Sequence, residues 1–266
     1  MKIRGERECT DCGARWSYYE TGEIACPDCG SLRSVGVDDD RQRHTDATAT
    51  LELDRFREAV APAEPDHLES VRIEGFDGIA DDLESTLREY LRRRGFIRGG
   101  ELLPLDDTFL AARELLEAVD LYARATDPGE VESLYVLGLL RGADGGDRPD
   151  TGDVPRSMRE ARGMAAALAV QAYREEVATY LSDLSRKAGE NTGGGEGRST
   201  SASSPDVTAV LGRVRDREKR IQALQGDVHP AEADALVSAA RDLGTYLRED
   251  DLAALARAHD RLDTLE

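Results

Sequence analysis

The chain has 266 residues and a net charge of −19, and its length suits one large domain or two smaller ones. Aromatic residues make up only 5%, so any core has to be built mainly from leucine, valine and alanine. The longest apolar run, at 164–170, is far too short to cross a membrane, and the polar start MKIRGERECT lacks the apolar stretch of a secretory signal. We therefore expect a cytoplasmic protein with no membrane segment, in which cysteines stay reduced.

The charged residues are unevenly chosen: 54 are acidic, 32 are arginine and only three are lysine. This composition resembles that of proteins from extreme halophiles, where molar salt shortens the Debye length to about 3 Å and screens self-repulsion. An acidic nucleic-acid mimic or a disordered acidic tail is the alternative, but here the acids are spread along the whole chain. At molar salt, charge alone binds phosphate weakly, so nucleic-acid binding would need stacking and base contacts.

All the cysteines lie in two CxxCG units, CTDCG at 9–13 and CPDCG at 26–30: the candidate metal ligands are Cys9, Cys12, Cys26 and Cys29. Two residues between paired cysteines allow a tight turn that aims both thiolates at one ion. The glycine that follows can adopt a positive φ and point N–H groups at sulfur. The pattern predicts a small β zinc ribbon over residues 1–37, with one structural ion held by four thiolates. A redox dithiol and disulfides are the alternatives.

The predicted ribbon is a short β-hairpin between the two cysteine pairs. ARWSYYE alternates like a strand, TGE supplies a turn, IAC returns, and SLRSVGV offers a third strand. Four side chains of this hairpin are candidates for interaction with a partner: Arg15, Trp16, Tyr18 and Tyr19. Either Trp16 and Tyr18 pack over the metal or against the helices, or an aromatic ring here is a stacking or interface anchor. Residues 1–37 carry five basic and six acidic side chains, so this segment is nearly neutral.

CTDCG and CPDCG, followed by SLRSV, resemble the zinc ribbon of transcription factor IIB and of many archaeal ribbon proteins. More closely, the whole chain resembles an uncharacterised family of halophilic archaea, in which such a ribbon precedes a helical region of unknown function. The resemblance implies one zinc ion and supplies no activity. Rubredoxin, an iron protein, also uses CxxCG and CPxCG, and four thiolates suit either metal. The remainder shows neither the cyclin-like repeat of transcription factor IIB nor the paired ExxH motifs of rubrerythrin.

The rest of the chain predicts a mostly α-helical, bundle-like body. Residues 38–75 read as a polar connector with one short helix at LELDRFREAV. Apolar spacing then predicts a helical region over 76–189, with a helix that ends at Gly95, one capped by Asp106 or Asp107, one over GEVESLYVLGLLRG, and a long one over 155–187. The segment 190–206 is a flexible Gly/Ser linker or loop, and 207–266 forms C-terminal helices that pack on 76–189. No strand pattern is evident after residue 75.

Signatures of catalysis are missing from the sequence, which contains no GxSxG, HExxH, Walker or GxGxxG motif. The four histidines stand near neither a cysteine nor a pair of acids: they are His44, His67, His229 and His259. We therefore expect a non-enzymatic metal-binding protein whose ribbon contacts another protein or a nucleic acid. Electron transfer through iron, and an enzyme whose site is assembled from distant residues of the helical body, are the alternatives.

Two basic runs could serve a phosphate or nucleic-acid ligand. RRRGFIR, at 92–98, is either a phosphate contact or the end of a helix with solvated arginines. RVRDREKR, at 213–220, is either a nucleic-acid-binding helix or a solvated helix face with i,i+4 ion pairs.

Overall fold

A small β-sheet precedes a helical body in a computed structural model of the chain, which describes residues 6–9, 11–17, 26–30, 34–36, 49–60, 73–190 and 205–264. Strands β1 (Glu6–Cys9), β2 (Arg15–Ser17) and β3 (Ser34–Gly36) form an antiparallel sheet in the order β2–β1–β3. The ribbon followed by a helical body confirms the predicted fold class. The central strand β1, which ends at Cys9, was not predicted, whereas β2 and β3 lie within the predicted ARWSYYE and SLRSVGV segments. Most of the predicted IAC strand lies outside the described residues.

The described part of the body contains eight α-helices. They are α1 (Asp54–Ala59), α2 (Phe76–Arg93), α3 (Asp107–Arg124), α4 (Glu130–Gly142), α5 (Arg159–Glu190), α6 (Pro205–Ala223), α7 (Pro230–Glu249) and α8 (Leu252–Asp263). The helix starts follow the capping signals of the sequence. The Asp106 carboxylate accepts a hydrogen bond from the Phe109 N–H at 2.7 Å, and the His229 side chain accepts one from the Ala231 N–H at 3.2 Å. Pro230 occupies the first position of α7, where the N–H that proline lacks would have no hydrogen-bond partner within the helix.

A two-residue hairpin interrupts the helical region, which contradicts the expectation of no strands after residue 75. Strands β4 (Ile97–Arg98) and β5 (Glu101–Leu102) pair antiparallel around Gly99 and Gly100. Both glycines have positive φ, at +60° and +83°, as a tight turn of the type I′ class requires. Strands of two residues are too short to show an alternating apolar pattern. The signal available in the sequence was the Gly99-Gly100 pair, with Ile97 and Leu102 two positions away on either side.

Helix α5 occupies the centre of the body, where it packs against α3, α6 and α7. Among the apolar positions predicted as its core face, Tyr173 and Val177 are buried, whereas those at 164, 168, 180, 181 and 184 are only half-buried. Alanines fill the closest contacts instead: the buried ones are Ala161, Ala165, Ala166, Ala167 and Ala169. Because alanine is short, neighbouring helices can approach this part of α5 on several sides at once. The apolar stripe therefore marks only part of the buried surface of α5.

The described part of the predicted connector belongs to the core of the body. Its buried side chains join the same hydrophobic cluster as the helices: Leu51, Leu53, Phe56, Val60 and Ile73. Arg57 on α1 donates to the Leu140 carbonyl at 2.9 Å and pairs with Asp144. Residues 38–48 and 61–72 lie outside the described part, as do 191–204 of the predicted linker. The C-terminal helices α6 and α7 pack on α5, within the region that they were expected to contact.

Helix α5 also touches the loop between α6 and α7 backbone to backbone. A Cβ atom at Gly163 would overlap the carbonyl oxygen of Gly226, and one at Gly226 would overlap that of Glu160.

We expect Gly163→Ala to lower the free energy of unfolding by about 1 to 3 kcal/mol through this overlap. Gly212→Ala in α6 is the matched control, because its Cβ would meet nothing within 4 Å. It should instead add about 0.5 to 1 kcal/mol. Urea unfolding of both variants measures the difference, and equal stability would contradict the tight contact.

Candidate metal centre

The two CxxCG units adopt the same turn. The Gly13 N–H donates to the Cys9 carbonyl at 2.9 Å, and the Gly30 N–H donates to the Cys26 carbonyl at 2.8 Å. Both glycines have positive φ, at +75° and +70°, which a side chain would strain. Cys9 also ends the central strand β1, so the sheet fixes the position of the first turn.

The turns bring all four cysteine Sγ atoms together, within 4.8 Å of one another. The closest pairs join one turn to the other: Cys9 to Cys29 and Cys12 to Cys26, each at 3.5 Å. A tetrahedral ion with metal–sulfur bonds of about 2.3 Å needs sulfur–sulfur separations of about 3.8 Å, within the spread found here. The four cysteines are thus positioned to hold one metal ion, as their spacing predicted, and they fill a four-coordinate shell.

The metal centre alternates between buried and exposed ligands. Cys9 and Cys26 are each 2% exposed, whereas Cys12 and Cys29 face solvent. Trp16 packs with the two buried cysteines and with Ala14 in a cluster of its own, apart from the core of the helices. Among the described residues of the ribbon this cluster is too small to stabilise a fold alone, which favours a stabilising role for the four-cysteine site.

Electrostatics at the centre favours a bound cation. Burial acts to raise the pKa of the Cys9 thiol, but backbone N–H groups, including Asp11 at 3.4 Å from its sulfur, and the adjacent thiols lower it to about 7. At Cys12 the Ala14 N–H lowers the pKa, yet the thiols of Cys29, Cys26 and Cys9 outweigh it and raise the pKa to about 12. Four thiols this close cannot all ionise without a positive charge between them, and a divalent ion supplies that charge.

The interaction candidates on the hairpin have different surroundings. Trp16 is only 6% exposed because its ring packs with Cys9 and Cys26, an arrangement that agrees with the packing interpretation and leaves little of the ring open for stacking. Arg15 is exposed and its Nε donates to Glu8 at 2.7 Å across the β1–β2 pair. Tyr18 and Tyr19 lie outside the described residues.

A buried network of ion pairs and hydrogen bonds joins helices α3, α4, α5 and α7, and it was not predicted from the sequence. Glu114 on α3 is fully buried and accepts hydrogen bonds from Arg162 on α5, at 2.7 and 2.9 Å, and from Tyr135 on α4. Arg162 also donates to Asp234 on α7 at 3.0 Å, and Arg148 binds Glu114 at 3.0 Å. Two carboxylates face two guanidinium groups, so the network is neutral and has a partner for each charge. The available signal was Glu114 itself, which stands four residues from apolar positions on each side.

The basic runs are tied into ion pairs of the protein itself. Arg94, from the first run, binds Asp106 at 2.6 Å. From the second run, Arg213 pairs with Asp263 and Arg220 pairs with Glu232. Asp263 and Glu232 lie on other helices, not at the i,i+4 positions expected for the second run, whereas Arg93 of the first run does pair with Glu89 four residues earlier. The runs therefore help to join helices.

Within the described ranges, the four cysteines are the one cluster of His, Cys, Asp and Glu side chains that could hold a metal ion. Those described ranges also include no helix with the length and apolar character needed to cross a membrane.

A model of a family of unknown function, DUF7117, matches residues 1–262 and so takes in both the ribbon and the helical body. The chain belongs to this family. No curated protein and no solved structure gives a significant match. The DUF7117 model therefore covers the cysteine ribbon and the helices together, and the family description assigns no activity to them.

Proposed function

We propose that this protein is a non-enzymatic zinc protein, in which one zinc ion folds the ribbon and the ribbon serves as an interaction module carried by the helical body. The observation that supports the proposal most directly is the meeting of four cysteine Sγ atoms within 4.8 Å. Thiolates at all four coordination positions would leave no open position for a substrate or a water molecule, which is the arrangement of structural zinc. Reduced thiols also fit a cytoplasmic protein.

A protein surface suits the ribbon better than a nucleic acid. Residues 1–37 carry five basic and six acidic side chains, so the ribbon has no excess of positive charge to attract phosphate. Trp16, the single tryptophan, packs inside the ribbon and cannot stack on a base. The exposed Arg15–Glu8 pair offers one positive and one negative group, which together suit a polar protein surface. The resemblance to the ribbon of transcription factor IIB adds a possible connection with transcription or RNA handling, by analogy of fold alone.

Metal analysis with an absorption spectrum tests the first part of this proposal. We expect colourless protein with about one zinc per chain, measured by elemental analysis after purification in a medium that supplies both zinc and iron. Red protein with one iron per chain and thiolate charge-transfer bands would overturn the zinc proposal. It would favour the rubredoxin-like electron-transfer alternative, since four thiolates bind either ion.

Binding by the intact ribbon tests the second part. Partners cross-linked to the wild-type chain should be lost when the ribbon is unfolded by Cys26→Ser and retained by a variant with an intact metal site. If the captured partner is RNA or DNA, the preference for a protein is wrong. If the Cys26→Ser variant captures the same partners, the proposal that the ribbon is the interaction module is wrong.

A further inference from the structure

Helix α4 is apolar on two sides, although the described residues cover only one of them. Its inner side buries Tyr135, Val136, Leu139 and Leu140 in the core of the body. On its outer side, Val131 is 58% exposed and Leu134 is 59% exposed. A helix that is apolar all round is normally covered all round. In a chain with a net charge of −19, an uncovered apolar helix face is an unusual surface.

The outer side of α4 forms one continuous face. At 100° per residue, its exposed positions fall within an arc of about 120°: they are Glu130, Val131, Leu134, Gly138 and Arg141. Leu134 lies near the middle of this arc. A Cβ atom at Gly138 would meet nothing within 4 Å, so Gly138 leaves an open notch beside the projecting Leu134. We call this set the outer α4 face.

We propose that the outer α4 face is the contact between two copies of this chain, with the two helices antiparallel across a two-fold axis near residue 135. Such an axis makes the face its own complement, as a two-fold interface requires. It sets Val131 against the notch at the partner subunit's Gly138, and it brings the leucines of the two helices together in the middle.

The charges at the two ends of the face select the antiparallel arrangement. Glu130 lies at the N-terminal end and Arg141 at the C-terminal end, and neither forms an ion pair with any residue of the described part. Antiparallel helices bring Glu130 of each copy to the partner subunit's Arg141. Parallel helices would place like charges together at both ends, which costs free energy.

The contact is short, since 13 residues give a helix of about 20 Å. Such an area belongs to the class of weak, reversible interfaces. We therefore expect a dimer that forms with increasing protein concentration. The proposal depends on helices of the body and not on the metal ribbon, so it stands or falls independently of the proposed zinc function.

Sedimentation equilibrium of the full chain over a wide concentration range tests the dimer. Leu134→Glu should weaken dimerisation by about tenfold or more, because it places a charge at the centre of the contact. The matched control is Leu252→Glu on α8, which changes a leucine that is 71% exposed and lies outside this face. The control should leave the dimer unchanged. A wild-type chain that stays monomeric at all concentrations would overturn the proposal, and so would equal weakening by both variants.

Carbodiimide cross-linking tests the orientation. In Arg141→Lys, an amine at position 141 should form a zero-length amide bond with Glu130 of the other copy, with loss of water. The same two positions within one helix are about 16 Å apart, so this bond cannot form inside one chain. Mixed light and isotope-labelled protein identifies the inter-chain peptide by mass spectrometry. A dimer that lacks this cross-link would overturn the antiparallel arrangement, and a combined Glu130→Arg and Arg141→Glu variant should dimerise like the wild type.

Discussion

Cys26→Ser is expected to abolish stable metal binding and to unfold the ribbon, while the helical body keeps its melting temperature. Cys26 is 2% exposed and its sulfur lies 3.5 Å from that of Cys12, so its removal opens the buried side of the metal centre. In its described residues the ribbon has a core of Trp16 with the two buried cysteines, so we expect it not to fold without a bound ion. The helices have a separate cluster of buried side chains and do not depend on it.

Elemental analysis measures the lost metal, and Trp16 fluorescence reports the unfolded ribbon because this is the single tryptophan of the chain. Far-ultraviolet circular dichroism follows the helices in the same sample. Asp28→Ser is the matched control, since this exposed residue lies in the same turn and is not a ligand. If Cys26→Ser also melted the helices, the ribbon and the body would form one cooperative unit, contrary to this prediction.

Glu114→Gln should cost about 3 to 5 kcal/mol of unfolding free energy, the usual effect of removing one partner of a buried ion pair. The substitution keeps the shape of the side chain but leaves Arg162 without its closest carboxylate, at 2.7 Å. The pKa of Arg162 is raised: burial acts to lower it, but Glu114 and Asp234 outweigh burial, so the guanidinium stays charged and has to remain paired. For a chain of this size, a loss of this kind lowers the melting temperature by roughly 10 °C.

Glu117→Gln is the matched control, because Glu117 lies on the same helix, three residues after Glu114. Glu117 is half-buried, burial raises its pKa, and its nearest cation, Arg113, is 3.9 Å away. Neutralising it should cost less than about 1 kcal/mol. Urea unfolding in low and in molar salt separates the two sites further, since salt screens exposed charges more than buried ones. A loss at Glu114 no larger than that at Glu117 would show that the network contributes no more than a surface pair.

The metal centre was largely predictable because its chemistry is local in the sequence. Each CxxCG unit specifies its own turn, and two such units close together specify a four-thiolate site. Helix starts at Asp106 and Pro230 were predictable for the same reason, since a cap depends on residues within one turn. The helices themselves follow from apolar spacing, although in the alanine-rich α5 that spacing marks only part of the buried surface.

Features that depend on distant residues could not be read from the sequence. The Glu114–Arg162–Asp234 network joins side chains 48 and 72 residues apart, so no local pattern indicates which arginine meets which acid. The burial of Trp16 depends on the return of the chain to Cys26, and an isolated tryptophan on a hairpin suits either packing or stacking. The surroundings of Leu51 and Phe56 looked polar because charged neighbours outnumber them in sequence, whereas in the fold both side chains are buried in the core and α1 packs against α2 and α4.

The buried alanines of α5 also determine which amino-acid substitutions this helix can tolerate. A buried leucine can often be exchanged for another apolar side chain of similar volume, and its neighbours adjust their rotamers. A buried alanine has no smaller apolar replacement except glycine, which weakens a helix, and every larger one pushes on a neighbouring backbone that cannot rotate away. Substitutions should therefore accumulate on the half-buried leucine stripe of α5, while the alanine positions admit little beyond alanine, serine and glycine. The most conspicuous apolar residues of the longest helix would then be its most variable ones.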